Sequence, residues 1–287
     1  MRTSLNIENK INMITEMRGD SVFQVLEYDS LKGGNSLELA VKLNQMKEAN
    51  IKLRQVRIIL EDSSVNIEKG ALSYMRGPIS MKNKIGGPIG LGKKLFSSKV
   101  TGESTFKPKY EGTGDIFLEP SFGHYALIEL EDDEIIVDDG LFYACESSVE
   151  ITAHMNKSLS SMVLGNEGVF QTKLSGNGIV VLEIPVPEEE VFKCKINNDV
   201  LKVDGNFAIL RTGDIEFTVE KSSKSLVSTA TGGEGLLNVF RGTGEVWLIP
   251  TKSVYEKLER GWNSLRPLTD PKGSSNTCLL YTSDAAD

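Results

Sequence analysis

Apolar and polar residues alternate with a period of two over much of this chain. Between residues 126 and 131 every second residue is apolar, and two of the intervening residues are glutamates. Such alternation is typical of a half-buried β-strand. The same pattern, or a short apolar run bounded by turn residues, predicts strands at Val22–Glu27, Leu53–Leu60, Ser64–Ile67, Gly70–Arg76, Glu134–Val137, Leu141–Cys145, Val149–Thr152 and Glu245–Ile249. We therefore expect an all-β fold of antiparallel, sandwich-like units.

Two segments have helical spacing instead. Apolar residues recur at three- and four-residue intervals from Leu37 onward, with Asn35 or Ser36 as the N-cap, which predicts one helix ending near Ala49. A second, short amphipathic helix is predicted within Ser253–Trp262. The fold is thus expected to carry one N-terminal helix and one short C-terminal helix.

A glycine motif recurs three times. Gly112-Thr113-Gly114, Gly176-Asn177-Gly178 and Gly242-Thr243-Gly244 have first glycines 64 and 66 residues apart. Between the first two copies, Asp132-Asp133 corresponds to Asn197-Asn198, and Asp139-Gly140 corresponds to Asp204-Gly205, each 65 residues later. A fixed period indicates duplication. The Asp-Gly and Asn-Asn pairs supply the positive-φ positions that tight turns require, and the glycine motif lets the backbone bend or approach another strand closely.

The repeat and the flanking patterns predict the domain limits. Residues 1–63 form an N-terminal strand-helix-strand segment, residues 64–251 form the duplicated β domain with units at about 64–165 and 166–251, and residues 252–277 hold the C-terminal helix and tail. The last ten residues, CLLYTSDAAD, back-translate to DNA resembling the adapter of transposase-made sequencing libraries. We interpret residues 278–287 as an adapter artefact and exclude them from the fold.

Charge and composition narrow the function. The formal net charge of −8 argues against a general nucleic-acid binder, because neutralising phosphates supplies most non-specific affinity. No apolar run is long enough to span a bilayer and the first twenty residues lack a signal-peptide core, so a cytoplasmic protein is expected. Cys145, Cys194 and Cys278 are odd in number and far apart, which supports neither disulfides nor a zinc site.

No catalytic or cofactor-binding set emerges from the residues. Gly87–Lys94 resembles a phosphate-binding loop, but Lys94 stands where Ser or Thr would hold Mg²⁺ and no apolar strand precedes it. The acidic run Glu131–Asp139 lacks the ligand spacing of a calcium loop, and His124 and His154 are too isolated for a metal centre. We therefore expect neither an enzyme nor a resident cofactor or metal.

One stretch could contact an anionic membrane surface. Arg76–Lys109 holds eight basic residues and one acid, whereas Glu111–Glu150 holds twelve acids and no Lys or Arg. A short helix is a further candidate at Lys93–Val100. Lysines near lipid headgroups each contribute about 1 kcal/mol. The bland alternative is a solvated loop, or one that neutralises the acidic stretch. The candidate contact residues are Lys82, Lys84, Lys93, Lys94, Phe96 and Lys99.

The order of several short motifs resembles the altered-inheritance-of-mitochondria 24 family. The motifs are Gly70–Met75, Gly102–Phe106, Gly112–Gly114, Val203–Gly205 and Phe240–Gly244, and the resemblance covers about residues 64–251. It implies an all-β fold of duplicated units similar to the tryptophan RNA-binding attenuation protein, often in symmetric oligomers. The fungal mitochondrial relative is linked to inner-membrane organisation, and bacterial relatives lack an established activity. No catalytic residues are implied, and a shared fold does not transfer a binding site.

The function expected from these observations is a non-catalytic β scaffold that associates with itself and lies in the cytoplasm or at the periphery of a membrane. Its expected partners are further copies of the chain, with a trimer as one candidate, and an anionic membrane surface. The alternative is a module that binds a small molecule or RNA at an interface between repeats or subunits.

Overall fold

The computed structural model describes residues 11–82, 107–155, 170–221 and 236–259. Residues 1–250 belong to one compact unit, and residues 251–287 belong to another. Within the described part of residues 1–250, thirteen strands form one hydrogen-bonded sheet. The strands are β1 Ile11–Arg18, β2 Ser21–Tyr28, β3 Arg54–Ile67, β4 Leu72–Arg76, β5 Ile79–Lys82, β6 Lys109–Leu118, β7 His124–Val137, β8 Phe142–Glu146, β9 Glu150–Met155, β10 Phe170–Ile184, β11 Phe192–Asp204, β12 Ala208–Lys221 and β13 Leu236–Leu248. The helices are α1 Leu37–Glu48, a 3-10 turn at Glu188–Glu190, and α2 Lys252–Glu259.

The predicted fold class is confirmed, because the described strands pair antiparallel and one helix lies near each end of the chain. Ser36 caps α1 by accepting a hydrogen bond from the Leu39 N–H. The details differ from the prediction in three ways. No strand was predicted at β1, β5, β6, β10, β11 or β12. The strands predicted at Leu53–Leu60 and Ser64–Ile67 are one continuous strand, as are residues 126–131 and Glu134–Val137, and the predicted turn at Asn197-Asn198 lies inside β11.

The strands repeat as three sets with the same pairing. Unit I contains β3, β4, β5 and β6; unit II contains β7, β8, β9 and β10; unit III contains β11, β12 and β13. In each unit the strand that carries the glycine motif lies in the middle, between the first strand of the unit and its second strand or strand pair. The glycine motif therefore marks the centre of each unit. The predicted domain limits stay a prediction.

A β-bulge lies opposite each glycine motif. Asp62, Asp132 and Asn198 have positive φ values of 56°, 58° and 48°, and each lies at a register shift in the first strand of its unit. The middle residue of the facing motif satisfies the bulge: the side chains of Thr113, Asn177 and Thr243 accept the N–H of those three residues at 3.1, 2.8 and 2.9 Å. Asp and Asn tolerate the left-handed region better than most residues. A turn was predicted because a bulge and a turn both require that backbone geometry.

The glycines of the motif allow close approach of the neighbouring strand. Gly114 has a φ of 144°, and a Cβ there would lie 2.0 Å from the carbonyl oxygen of Arg76. Gly242 has a φ of 133°, and a Cβ there would lie 2.0 Å from the carbonyl oxygen of Asp214. Both positions therefore exclude a side chain, as the structural interpretation of the motif predicted.

The hydrophobic core is divided into three clusters that follow the units. Core 1 contains residues of unit I together with Phe23 and Val25 of β2 and with Tyr125, Tyr143, Ala144, Ile179 and Val181 of unit II. Core 2 contains residues of unit II together with Ile209, Leu210 and Trp247 of unit III. Core 3 contains the buried residues Ile196, Val203, Phe240 and Val246, all from unit III. Cores 1 and 2 are thus shared between neighbouring units, whereas core 3 is built by one unit in the described chain.

The N-terminal hairpin of β1 and β2 covers core 1. β2 pairs with the first half of β3, and Phe23 and Val25 are buried in the core. The carboxylate of Glu146, at the end of β8, accepts the Ser21 N–H at 2.7 Å and the Ile179 N–H at 3.1 Å. Glu146 is 3% exposed, so these bonds form away from water and fix the hairpin to unit II.

Candidate functional site: the two ends of the repeat

Units I and II are joined by a short antiparallel strand pair. The end of β3 pairs with β8, with Val65 opposite Glu146 and Ile67 opposite Ala144. Beyond the pair, the Glu68 N–H donates to the Tyr143 carbonyl at 2.8 Å. This junction places the second strand of unit II against the first strand of unit I.

Units II and III are joined in the same register. The end of β7 pairs with β12, with Ile135 opposite Thr212 and Val137 opposite Leu210. The Asp138 N–H donates to the Ile209 carbonyl at 2.9 Å, the counterpart of the bond from Glu68 to Tyr143. The chain therefore builds the same junction twice.

The last strand of the series has no such neighbour in the described chain. Counted from the bulge residues of the three units, the end of β11 at Leu201–Val203 corresponds to Val65–Ile67 and to Ile135–Val137. β11 pairs with β13 on one side only within the described residues. We call the other side of Leu201–Val203 the trailing edge.

Unit I has an edge that is complementary to the trailing edge. Met75 in β4, Cys145 in β8 and Arg211 in β12 are equivalent, because each pairs with the residue two positions after the glycine motif of its unit. In units II and III this strand contacts the preceding unit, whereas β4 pairs with β6 alone in the described residues. We call the other side of Tyr74–Arg76 the leading edge.

Burial differs sharply between equivalent positions. Tyr74 is 53% exposed, whereas its counterparts Ala144 and Leu210 are 0% and 4% exposed. At the start of the first strand, Phe192 of unit III is 62% exposed, whereas its counterparts Val56 and Ala126 are 0% and 1% exposed. At the leading edge, Tyr74 is therefore exposed where the internal junctions bury its counterparts. In unit III the exposed Phe192 lies at the start of β11, away from the trailing edge, where Val203 is 3% exposed.

Aromatic side chains extend the leading edge. Tyr74 stacks on Phe117 of β6, with ring centroids 4.4 Å apart and an angle of 14° between the ring planes. The guanidinium of Arg57 lies 5.6 Å from the centroid of the Phe117 ring and forms an ion pair with Asp115 at 2.5 Å. The counterparts of Phe117 are Val181 and Trp247, which belong to cores 1 and 2. Phe117 thus presents an aromatic ring where the other units insert a core residue.

The titratable groups at the internal junctions have structural roles. Burial raises the pKa of the Cys145 thiol to about 12, which keeps it protonated and unreactive at neutral pH. Burial lowers the pKa of the Arg211 guanidinium to about 10, so Arg211 stays charged at pH 7. Neither group has the perturbed pKa near neutrality that acid–base catalysis favours.

Of the predicted anionic-surface contacts, Lys82 is the one within the described residues. It ends β5, its side chain is 57% exposed, and its Nζ pairs with Glu111 Oε1 at 2.8 Å. The hydrogen bond from Lys82 holds the pKa of the Glu111 carboxyl below its usual value. Lys84, Lys93, Lys94, Phe96 and Lys99, and the helix predicted at Lys93–Val100, lie outside the described residues.

The described ranges offer little for other kinds of site. In them, no helix is long and apolar enough to cross a membrane, and no group of three or more His, Cys, Asp or Glu residues is placed to hold a metal ion. His124 contacts the Arg54 guanidinium at 3.1 Å, and burial is the main cause that lowers its pKa.

Sequence reasoning missed both edges. Tyr74 and Val203 were assigned to family motifs, which do not show which strand would pair with either residue. Aligning all three copies by their bulge residues would have placed Phe192 beside Val56 and Ala126, two apolar residues that the fold buries. That alignment requires the 70-residue spacing from Asp62 to Asp132, which differs from the period near 65 residues that the glycine motif shows.

Comparison with known proteins agrees with this architecture. The family model described as mitochondrial biogenesis AIM24 matches residues 47–251. An uncharacterized protein of Streptococcus pyogenes serotype M6 is 25% identical over 201 residues, which cover 67% of this chain and 79% of that protein. The crystal structure of a Streptococcus pyogenes protein from a structural genomics consortium superposes with a TM-score of 0.53 at 20% identity, covering 73% of this chain and 94% of that chain. At that identity the likeness concerns the fold alone.

Proposed function

The chain belongs to the mitochondrial biogenesis AIM24 family, and from that premise we propose that it is a non-catalytic β scaffold that associates with copies of itself. The observation that carries the proposal is that, among the described residues, the strand edges at the two ends of the three-unit series have no pairing partner. An uncovered strand edge is a ready site for pairing with another chain. The exposed Tyr74 and Phe192 occupy positions that the rest of the chain buries, which gives association a hydrophobic driving force.

The composition of the trailing edge is consistent with a protected interface. β11 carries Lys193, Lys195 and Lys202, and lysines on an edge strand discourage indiscriminate pairing. A specific partner strand is compatible with them, because its own side chains can be placed between the charges. Self-association through such an edge is therefore selective rather than aggregative.

The test is the mass of the full chain in solution, measured by light scattering after size exclusion at micromolar concentration. We expect a multiple of 31.5 kDa. The first variant is Lys202→Pro. The counterpart of Lys202 in unit I is Asn66, and backbone direction alternates along the strand, so the N–H of Lys202 points away from β13 and toward the open side. Proline there removes the donor needed by an added strand and keeps the bonds to β13.

The matched control is Lys202→Ala, which removes the same side chain and retains the N–H. We expect Lys202→Pro to shift the protein toward the monomer and Lys202→Ala to leave the mass unchanged. A wild-type monomer at about 10 μM, a concentration at which an affinity of −8 kcal/mol would already assemble most chains, would contradict the proposal.

Contact with an anionic membrane is part of the same proposal and has its own test. Flotation with neutral and anionic vesicles at low and high salt would be compared for the wild type and Lys93→Glu/Lys94→Glu. Salt-sensitive flotation that the variant loses would support the contact. Absence of flotation from every vesicle would favour the alternative of a loop that is solvated or that neutralises the acidic stretch, and the Lys82–Glu111 ion pair supports the latter.

A further inference from the structure

Three equivalent polar residues meet where the first strands of the units begin. Arg54, His124 and Glu190 each lie eight residues before the bulge residue of their unit. Nη1 of Arg54 lies 3.1 Å from Nδ1 of His124, and the Glu190 carboxylate acts on the same imidazole. We infer that His124 is a proton-controlled latch: when neutral it holds the start of β3 to the loop before β7, and when protonated it releases that loop.

The guanidinium fixes the chemistry of the neutral state. Arginine only donates hydrogen bonds, so Nδ1 of His124 accepts from Nη1 of Arg54 and the ring proton lies on Nε2. The same Nη1 donates to the Gly123 carbonyl at 3.3 Å, and Nη2 pairs with Glu27 at 3.0 Å. The Arg54 side chain is 15% exposed, so the neutral imidazole is one of three groups that satisfy a largely buried cation.

Protonation of His124 reverses the contact. The imidazolium donates from both nitrogens, so it cannot accept from Arg54, and two positive charges would lie 3.1 Å apart. The charged groups that act on the imidazole are Arg54 of β3, Glu27 of β2, and Glu189 and Glu190 of the 3-10 turn. The two acids of the turn attract the imidazolium, so protonation favours a shift of the ring away from Arg54 and toward the turn.

The latch secures the end of the loop at residues 119–123, which joins β6 to β7. Arg54 and Ser121 exchange two backbone hydrogen bonds of 2.8 and 2.9 Å in an isolated bridge. Beyond Ser121, the bonds from the Arg54 guanidinium to Gly123 and His124 tie the end of the loop to β3. Protonation therefore weakens the attachment of the segment between Ser121 and β7.

That segment borders an apolar groove beside α1. Phe122, which belongs to the loop, lines the groove together with Leu53, the residue before Arg54. The helix contributes Leu43 and Met46 to the same groove, and no residue of the helix is fully buried. Movement of the loop would widen the groove and expose more apolar surface. Such a change can be followed with a dye that binds exposed apolar surface.

The pH range of the latch follows from the environment of His124. Burial, and then the charge of Arg54, hold the pKa of His124 below its ordinary value of 6.5. The folded chain therefore binds this proton less readily than the unfolded chain. The stability that the latch supplies is complete above pH 6.5 and is lost as the pH falls from there through the pKa of His124 in the folded chain.

The experiment is an NMR titration of the full chain, which contains only two histidines, His124 and His154. Imidazole and backbone signals are followed from about pH 7.5 to about pH 5, a range that brackets the ordinary histidine pKa. The fluorescence of an apolar dye is recorded over the same range. We expect His124 to titrate below pH 6.5. The backbone signals of Arg54, Ser121 and Gly123 should move with the same midpoint, and dye fluorescence should rise there.

Two variants make the test specific. His124→Asn places a permanently neutral acceptor near the position of Nδ1, so its dye binding should not respond to acid. The matched control is His154→Asn on β9, which should respond as the wild type does. Glu189→Gln keeps the histidine and removes one of the acids that favour the imidazolium, so the midpoint should shift to lower pH.

Several results would overturn the inference. They are a His124 midpoint at or above pH 6.5, backbone signals that do not follow the imidazole, an equal response to acid in His124→Asn, and an unchanged or higher midpoint in Glu189→Gln. If His124→Asn does not fold at neutral pH by circular dichroism, the wild-type titration and Glu189→Gln decide the question. Because the latch lies within one chain, none of these results bears on the proposed self-association, which is measured by mass.

Discussion

At the scale of single residues, the three glycine motifs are a backbone device, and the middle residue is part of it. Thr113, Asn177 and Thr243 each accept the N–H of a bulge residue that has positive φ. The motif and its bulge therefore form one structural element made from two strands. No ligand is required to explain either the glycines or the residue between them.

Gly242→Ala tests that account. Its Cβ would lie 2.0 Å from the Asp214 carbonyl oxygen at a φ of 133°, so the two strands must separate. We expect the free energy of unfolding to fall by more than about 1 kcal/mol. The control is Gly33→Ala, where a Cβ meets nothing within 4 Å and φ is ordinary, and there we expect a change within about 0.5 kcal/mol. Equal losses in urea denaturation of the two variants would contradict this account.

The sequence pattern identified the glycine motif correctly but placed one of the bulge residues that face it one position too early. The sequence alignment matched Asp132-Asp133 to Asn197-Asn198, whereas the bulge residues are Asp132 and Asn198, 66 residues apart. Asn197 and Asn198 are equally suited to positive φ by residue type. The bulge position depends on which residue faces the motif across the sheet, and that pairing is tertiary information.

At the scale of elements, the N-terminal hairpin shows why a strand can escape prediction from the sequence. β1 alternates poorly, since Met13 and Ile14 are adjacent and both half exposed, so periodicity could not identify it. Its attachment to the sheet depends on Glu146, a single buried carboxylate in a strand 125 residues away from Ser21. No local pattern marks such a residue.

Glu146→Gln is expected to loosen this hairpin. The two carboxylate oxygens accept one N–H each, from Ser21 and Ile179, and an amide can replace only one of them while its own NH₂ group faces the other donor. We expect a loss of about 1–3 kcal/mol and faster hydrogen exchange in residues 11–28 than elsewhere. Glu129→Gln, on an exposed position of β7, is the control. Uniform protection in both variants would show that Glu146 does not hold the hairpin.

At the scale of the whole molecule, the sequence was sufficient to predict the fold class and the repeat. Alternation and a fixed period can both be recognised along the chain without knowing which strands pair. It was insufficient for the two edges. Whether Tyr74 or Phe192 is covered depends on how the units follow one another in the sheet, and equivalent residues such as Ala144 and Ala126 are covered. The predicted contact with an anionic membrane stays a prediction, since most of its residues lie outside the described part of the chain.

Self-association predicts that stability depends on concentration. Partners that bind the folded chain and not the unfolded chain raise the melting temperature by mass action. We expect the melting temperature of the wild type to rise when the protein concentration is increased a hundred-fold. The melting temperature of Lys202→Pro should stay constant over the same range. A wild-type melting temperature independent of concentration over that range would argue against assembly through the trailing edge.

The sharing of cores 1 and 2 between neighbouring units also bears on how such a chain can change during evolution. Deleting part of a unit would expose the core of its neighbour, because Val181 and Trp247 each complete a cluster that begins one unit earlier. Gaining or losing one entire set of strands would recreate the same junction and leave every other core intact. The smallest insertion or deletion that leaves the remaining cores complete is therefore one whole unit. The N-terminal hairpin would then cover the core of whichever unit comes first.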